Sequence, residues 1–121
     1  MGLYTTVRWM RGIDYGTRRD GCAAAWKWSR DNDAADGCEA GTFNGGAEAN
    51  ERLVVFAQGS SSTVYADHAG EGAAVLDPLA MIFDRHDDGS EARFDAALEA
   101  FCAKHGLPWR EPRWLLTVDV S

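Results

Sequence analysis

The sequence predicts one α+β domain, in which an antiparallel or mixed β-sheet carries a long C-terminal helix at about 91–105 and a shorter helix on one face. The chain has 121 residues, which is the usual size of a single domain. Its composition, 45% hydrophobic and 26% charged, is typical of a globular core and surface. Strand-like segments come first, helical segments follow, and one strand ends the chain, which is the segregated order of an α+β fold.

The N-terminal third predicts two strands and a turn. Residues 3–10 are rich in β-branched and aromatic side chains that alternate, which predicts a strand. The glycines within 11–21 predict a turn region. Residues 22–30 alternate again and predict a second strand, antiparallel to the first, with Trp26 and Trp28 on one face. Three consecutive alanines in that segment leave a helix open as the alternative.

Further strands are predicted in the middle and at the end of the chain. A short strand is expected at 38–43. The segments 52–58 and 63–67 are separated by the run Gly59-Ser60-Ser61-Ser62, which is typical of a β-hairpin. The last strand is predicted at 113–120.

Two helices are predicted after residue 72. Pro78 follows Asp77 as the first helical residue follows an N-cap, which predicts a short helix at about 78–84. In the longer helix Ser90 is the expected N-cap, and Gly106 offers the left-handed residue that ends a helix. One apolar stripe at helical spacing joins Phe94, Ala97, Leu98, Phe101, Cys102 and His105.

The net charge of −7 comes from 12 basic and 19 acidic residues. Residues 1–30 hold 6 basic and 2 acidic side chains, so residues 31–121 carry a net charge of −11. This balance disfavours direct nucleic-acid binding and binding to an anionic membrane, because both need lysine and arginine. It favours a protein partner with a basic surface.

We expect a soluble cytoplasmic protein with reduced thiols. The N-terminus lacks the apolar segment of a signal peptide, and no apolar run reaches 18 residues. The three cysteines are Cys22, Cys38 and Cys102, an odd number in which a Cys22–Cys38 disulfide stays open as an alternative.

Motifs for metal binding or catalysis are weak, and we expect no cofactor, no metal and no catalytic residue. Residues 84–95 partly match a calcium loop, but His86 and Asp95 depart from its third and twelfth positions. Cys102 and His105 are spaced for a zinc site that Cys22 and Cys38 would complete, without the close pairing that such sites show. There is no nucleophile elbow and no phosphate loop.

The leading hypothesis is a protein-binding domain, such as an inhibitor, an immunity-type protein, an adaptor or a nucleic-acid mimic. It would act through an acidic surface with aromatic anchors. Tryptophan and arginine in a Pro-containing, exposed stretch make Trp109 and Arg110 the expected anchors. The expected acidic contacts are Asp31, Asp33, Asp36, Asp84, Asp87 and Asp88.

Two alternatives remain. One is a small-molecule-binding domain or small enzyme whose pocket, between sheet and helices, is lined by Trp26 and Trp28. The other is a self-associating structural protein.

Overall fold

A computed structural model describes residues 4–43, 51–68, 73–75 and 89–120. Within these ranges the chain forms one sheet of seven strands and two helices, which confirms the α+β class. All strand pairs among them are antiparallel. The strands are β1 (Tyr4–Thr17), β2 (Ala34–Ala35), β3 (Cys38–Phe43), β4 (Arg52–Ala57), β5 (Ser62–His68), β6 (Ala73–Val75) and β7 (Arg113–Val120), and the helices are α1 (Ala23–Asp31) and α2 (Ser90–His105).

Strand β1 is the centre of the sheet because three strands pair with it. Trp9 has Ser62 of β5 on one edge and Leu116 of β7 on the other. Gly12 has β4 and β7 as its two neighbours. Since a strand has only two edges, β4 and β5 must follow one another along the same edge of β1, opposite β7. Strands β3 and β2 extend the sheet beyond β4, and β6 extends it beyond β5.

The predicted turn region at 11–21 is wrong in its first half, because β1 continues to Thr17. Gly12 is needed inside the strand, since a Cβ there would lie 2.5 Å from the carbonyl oxygen of Val55. Gly16 has a φ of +84° and follows a bulge at which the pairing with β4 shifts by one residue. Both glycines therefore mark a close approach and a bulge within a strand.

The predicted hairpin at 52–67 is also wrong. Both strands form, but each pairs with β1, and they do not pair with each other within this fully described stretch. Gly59 has a φ of +84°, and the Ser60 side chain is buried, where its hydroxyl donates to the carbonyl oxygen of Ala57 at 2.6 Å and accepts from the backbone N–H of Arg11 at 3.2 Å. The serine run therefore connects β4 to β5, and these two strands follow one another along the same edge of β1.

Residues 22–30 form helix α1 and not the predicted strand, so the helical alternative is the observed one. The buried residues Ala25 and Trp26 and the half-buried Cys22 and Ser29 follow helical spacing, which places one face on the core. The favourable packing of that face, together with the helix propensity of the alanines, outweighs the short alternation of Ala24, Trp26 and Trp28.

The long helix and the last strand are confirmed at nearly their predicted bounds. Gly106 adopts the left-handed conformation with a φ of +68°, and the buried Leu107 donates its N–H to the carbonyl oxygen of Cys102. The N-cap is Gly89 and not Ser90, which is the first helical residue and accepts a hydrogen bond from Arg93.

The core lies mainly between the sheet and the two helices, where Ile13, Tyr15 and Val55 meet Leu98 and Phe101. A smaller cluster on the opposite face of the sheet contains the buried Met10, Val54 and Phe56, with Phe43 and Leu115 against it.

Some predictions fall outside the described residues, namely the short helix at 78–84 and the acidic positions of the 84–88 segment. Neither α1 nor α2, the two helices in the described parts of the chain, is long and apolar enough to cross a membrane.

Candidate functional site

The segment 107–112, which joins α2 to β7, presents an exposed tryptophan on a backbone that is fixed at both ends. Leu107 and Pro112 are buried, whereas Trp109 is 49% exposed and Arg110 is exposed. The exposure that the prolines and arginine of this stretch predict for Trp109 is therefore observed.

Two contacts with β1 hold this segment in place. The Tyr15 hydroxyl donates to the carbonyl oxygen of Pro108 at 2.9 Å. The Arg110 guanidinium lies 5.3 Å from the centre of the Tyr15 ring and donates to the carbonyl oxygen of Asp14 at 3.2 Å. Trp109 thus projects from a stretch whose neighbouring residues are already positioned.

A cavity of about 330 Å³ lies beside this segment. Two guanidinium groups line it, and within the described residues neither Arg110 nor Arg113 has a carboxylate at ion-pair distance. Asp14 also lines the cavity, but its carboxylate accepts hydrogen bonds from Arg52 Nε and from the N–H of Gly16, each at 2.9 Å. The lining residues are Gly12, Ile13, Asp14, Arg110, Glu111, Arg113 and Leu115.

The two tryptophans predicted to share a ligand-binding face do not share one, because they lie on helix α1. Trp26 is buried in the core, and the Arg18 guanidinium lies 4.7 Å from its ring centre. Trp28 packs edge-on against Phe101 at 4.9 Å. Neither side chain lines the cavity beside Arg110.

Trp28 instead begins a chain of hydrogen bonds that ends at Asp36. Its indole N–H donates to His105 Nδ1 at 3.2 Å, and His105 Nε2 lies 2.7 Å from Asp36 Oδ2. Because Nδ1 accepts a hydrogen bond, Nε2 carries the ring proton, and its N–H donates a hydrogen bond to the carboxylate. Lys104 Nζ donates to the other carboxylate oxygen at 2.8 Å. The hydrogen bond with Lys104 makes the largest contribution to lowering the pKa of Asp36, and the bond with His105 makes the next largest.

Both imidazole nitrogens of His105 are therefore occupied by hydrogen bonds. A histidine that acts as a general base needs one free nitrogen directed at a substrate. The hydrogen bonds join α1, α2 and the turn after β2, and we interpret them as a structural connection between these elements.

The predicted acidic contacts are only partly placed. Asp31, Asp33 and Asp36 are exposed at the end of α1 and around β2, but Asp36 is paired as described above. Asp84, Asp87 and Asp88 lie outside the described residues.

The described residues hold 11 basic and 13 acidic side chains, so their net charge is −2 out of the chain's −7. Most of the acidic excess therefore belongs to 44–50 and 69–88. The prediction of one acidic face depends on where those segments lie.

An ion cluster at the start of α2, in which the arginine is buried and the two carboxylates are half-buried, is a feature that sequence patterns do not reveal. Arg11, 9% exposed, donates from Nε and Nη2 to the two oxygens of Asp95 at 2.8 and 2.9 Å, and Nη2 lies 3.1 Å from Glu91. The hydrogen bonds with Asp95 raise the pKa of Arg11. Asp95, the last position of the calcium-like loop, is therefore paired with Arg11.

The three cysteines are free thiols, so the alternative of a Cys22–Cys38 disulfide is not observed. Burial, with smaller contributions from Cys102 and Asp36, raises the pKa of Cys38 to about 12. Burial also raises the pKa of Cys102, whose thiol donates to the Tyr15 hydroxyl oxygen at 3.2 Å. Both thiols are therefore protonated and weakly nucleophilic at neutral pH. In the described parts of the chain no three His, Cys, Asp or Glu side chains converge as metal ligands would.

Comparison with protein-family models, with curated proteins and with solved structures finds no significant match to this chain.

Proposed function

We propose that the chain is a small cytoplasmic protein-binding domain, such as an inhibitor, an immunity-type protein or an adaptor, that holds its partner through Trp109 and Arg110. The observation that carries this proposal is the exposure of Trp109 on a segment fixed by Leu107, Pro112 and the contacts with Tyr15. Tryptophan and arginine are the residue types that dominate the energetics of protein interfaces.

Pre-organisation makes this segment suited to binding. A flexible loop loses conformational entropy when a partner orders it, and that loss weakens the complex. Here the backbone on each side of Trp109 is already held by buried residues and by hydrogen bonds to β1. The indole can therefore contribute its contact area at a small entropic cost.

The net charge supports a partner with a basic surface. Long-range attraction between opposite charges raises the rate of encounter, and a central aromatic contact slows dissociation. The acidic contributors we propose are Asp31, Asp33 and Asp36 together with the 84–88 segment, Asp84, Asp87 and Asp88. Carboxylates placed where phosphates would lie also give such a domain the means to act as a nucleic-acid mimic.

Affinity capture with variants tests the anchor. The full chain, Trp109→Ser and Leu116→Ser are each immobilised and exposed to an extract of the cell that makes the protein. Leu116 is the matched control, since it is 57% exposed and is the other large apolar side chain that the described surface presents. We expect a partner that wild type and Leu116→Ser retain and Trp109→Ser binds about 30-fold more weakly, as loss of a hot spot requires. Equal retention by Trp109→Ser would remove the anchor from the proposal.

The electrostatic part is tested separately with the same captured partner. Reversing Asp84, Asp87 and Asp88 to lysine is expected to slow association and to reduce its dependence on salt. An unchanged rate at both low and moderate salt would exclude this segment from the interface.

A second candidate function, binding of a small anionic molecule, is favoured by the cavity beside Arg110. Two guanidinium groups without carboxylate partners in the described residues face a space of about 330 Å³, which is at the lower end for ligand pockets. The expected ligand is a carboxylate or phosphate compound, because arginine binds both in bidentate geometry.

NMR titration with acetate and with inorganic phosphate tests this candidate. Amide shifts concentrated at Gly12, Ile13 and Arg113, and lost in Arg113→Ala, would support it. Arg93→Ala, which removes an exposed arginine of α2 away from the cavity, is the control. Shifts spread evenly over surface arginines would contradict it.

A further inference from the structure

The exposed tryptophan of segment 107–112 and the cavity beside that segment adjoin each other along the chain. Trp109 directly precedes Arg110, so their Cα atoms are about 3.8 Å apart. Trp109 is 49% exposed, and Arg110 is exposed and lines the cavity of about 330 Å³. Arg113 is also exposed and lines the same cavity. Residues 109–113 therefore present an aromatic ring and two guanidinium groups together.

The charges in the cavity wall leave an excess of one positive charge. Asp14 accepts a hydrogen bond from Arg52 Nε at 2.9 Å, and this ion pair has no net charge. The other charged residues of the wall are Arg110, Arg113 and Glu111, so two positive charges face one negative charge. A wall with this excess attracts an anion.

The size of the excess favours a carboxylate over a phosphate. A carboxylate carries one negative charge, which the wall compensates, whereas a phosphate monoester carries about 1.5 to 2 negative charges at neutral pH. Glu111 and Asp14 lie in the same wall and repel the additional charge of the phosphate. Arginine, in turn, can bind a carboxylate through two parallel N–H···O hydrogen bonds.

Arg110 is held in position by the protein itself. Its Nη1 donates to the carbonyl oxygen of Asp14 at 3.2 Å, and its guanidinium lies 5.3 Å from the centre of the Tyr15 ring. A guanidinium has five N–H donors, of which this hydrogen bond uses one. Because the side chain is already ordered, it loses less conformational entropy when a ligand binds.

A peptide can use the cavity and Trp109 together. Trp109 does not line the cavity, so a small anion bound there leaves the indole without a contact. A ligand that uses both features carries a carboxylate within one or two residues of an apolar side chain. Polypeptides supply this combination, and tryptophan is a residue type that dominates the energetics of protein interfaces.

We propose that Trp109, Arg110 and Arg113 form one site for an acidic peptide segment of the partner, which places a carboxylate in the cavity and an adjacent apolar side chain on the indole. The inference rests on the function proposed above, in which Trp109 and Arg110 hold a protein partner. It adds the chemistry of the contacting segment, whose carboxylate belongs to an acidic side chain or to the C-terminus. A partner whose surface is basic overall can present one such group.

Titration of the full chain with short peptides tests the class of ligand, with NMR shifts of the amides of Gly12, Ile13 and Arg113 as the signal. Acetyl-Ala-Phe-Ala-Glu-amide carries a side-chain carboxylate, and acetyl-Ala-Phe-Ala-Gln with a free C-terminus carries a terminal one. Acetyl-Ala-Phe-Ala-Gln-amide carries neither. We expect at least one carboxylate peptide to bind about tenfold more tightly than the neutral peptide. The tighter of the two carboxylate peptides identifies the source of the carboxylate.

A fourth peptide tests the preference for a single negative charge. Acetyl-Ala-Phe-Ala-phosphoserine-amide is expected to bind more weakly at neutral pH than the better carboxylate peptide. The proposal would be overturned if the phosphopeptide bound more tightly, if the neutral peptide bound as tightly as the carboxylate peptides, or if none of the four peptides shifted these amides.

Variants locate the two parts of the site. Arg113→Ala is expected to lose the tenfold preference for a carboxylate, and Trp109→Ser is expected to weaken the binding of every peptide. Arg93→Ala, which removes an exposed arginine of α2 away from the cavity, is the matched control and should bind as wild type does. An unchanged preference in Arg113→Ala would contradict the proposed site. Near-ultraviolet circular dichroism confirms that each variant is folded.

The captured partner separates a failure of this inference from a failure of the function proposed above. If Trp109→Ser loses the partner and Arg113→Ala retains it as wild type does, the binding function stands and the carboxylate contact is wrong. If Trp109→Ser retains the partner, the binding function is wrong, and this inference with it. Loss of the partner in both variants supports both.

Discussion

At the scale of single residues, the buried polar side chains of this protein join its helices to its sheet. Tyr15 on β1 contacts Cys102 of α2 and the segment that follows it. Arg11, also on β1, holds Asp95 at the beginning of α2. The hydrogen bonds of Tyr15 and Arg11 give partners to polar atoms whose burial without partners would destabilise the protein.

The Asp36 carboxylate makes stability depend on pH in the acid range. Its pKa is lowered in the folded protein by Lys104 and His105, so the folded state favours the ionised form. The stabilisation is therefore fully present above the unfolded value, near 3.8, and is lost as the pH falls through the lower folded pKa. We expect Asp36→Asn to be less stable than wild type at neutral pH, and the two stability curves to converge only as the pH falls below the unfolded value of 3.8 and through the lower folded pKa.

Urea unfolding at a series of pH values measures this difference. Asp33→Asn, a neighbouring exposed aspartate, is the control and should follow the wild-type curve. If the free energies of unfolding of Asp36→Asn and wild type differed by a constant amount down to the lowest pH, the effect could not come from ionisation of Asp36.

The cysteines are expected to differ in reactivity. The raised pKa of Cys38, about 12 against an ordinary 9.0, leaves about 1,000-fold less thiolate than an unperturbed thiol at pH 8. Cys102 is buried as well, whereas Cys22 is partly accessible. We expect iodoacetamide to label the native protein at Cys22 alone and to label all three cysteines in urea, as mass spectrometry of peptides would show. Rapid native labelling of Cys38 would contradict its burial.

The candidate site could be predicted from the sequence only where the signal is local. The exposure of Trp109 follows from its neighbours Pro108 and Arg110, which disfavour burial of this stretch. The cavity could not be predicted, because it brings Asp14 and Arg113 together across paired strands of the sheet. Such proximity depends on the register, which no short sequence pattern specifies.

At the scale of elements, periodicity predicted the long helix well and short segments poorly. The stripe of α2 repeats over about three turns, so strand and helix patterns are easily distinguished there. In α1, nine residues contain too few repeats, and Ala24, Trp26 and Trp28 alternate by coincidence. The hairpin prediction failed for another reason. A short turn signal cannot show whether the next strand folds back or continues along a partner as long as β1.

The close approach of β1 to β4 makes Gly12 essential. A Cβ at Gly12 would lie 2.5 Å from the backbone oxygen of Val55, which cannot move without disturbing the sheet. We expect Gly12→Ala to lower the free energy of unfolding by about 2–3 kcal/mol. Gly41→Ala is the matched control, because its Cβ would meet the ring of Phe43 at 3.0 Å, and a side chain can rotate away. If urea unfolding showed the same loss of stability for Gly12→Ala and Gly41→Ala, this account would be refuted.

At the scale of the whole molecule, the charge is distributed in a way that composition conceals. The described residues are nearly balanced, and the acidic excess is concentrated in two other parts of the chain. The class of the fold could be predicted because it depends on the order of the elements. The pairing of the N-terminal strand with the C-terminal one could not, because pairs more than 100 residues apart leave no local pattern.

That long-range pairing predicts that the domain folds only as a whole. Strand β7 covers one edge of β1 over eight residues, and Trp114 stacks on Trp9 with ring centres 5.8 Å apart. A chain that ends at residue 112 exposes this edge and loses that contact. We expect it to show no cooperative urea transition, measured by tryptophan fluorescence and near-ultraviolet circular dichroism. Leu116→Ser, which changes an exposed side chain of β7 but keeps its pairing, should unfold cooperatively. A cooperative transition in the shortened chain, with an unchanged dependence on urea, would mean that β7 is an addition to an independently stable core.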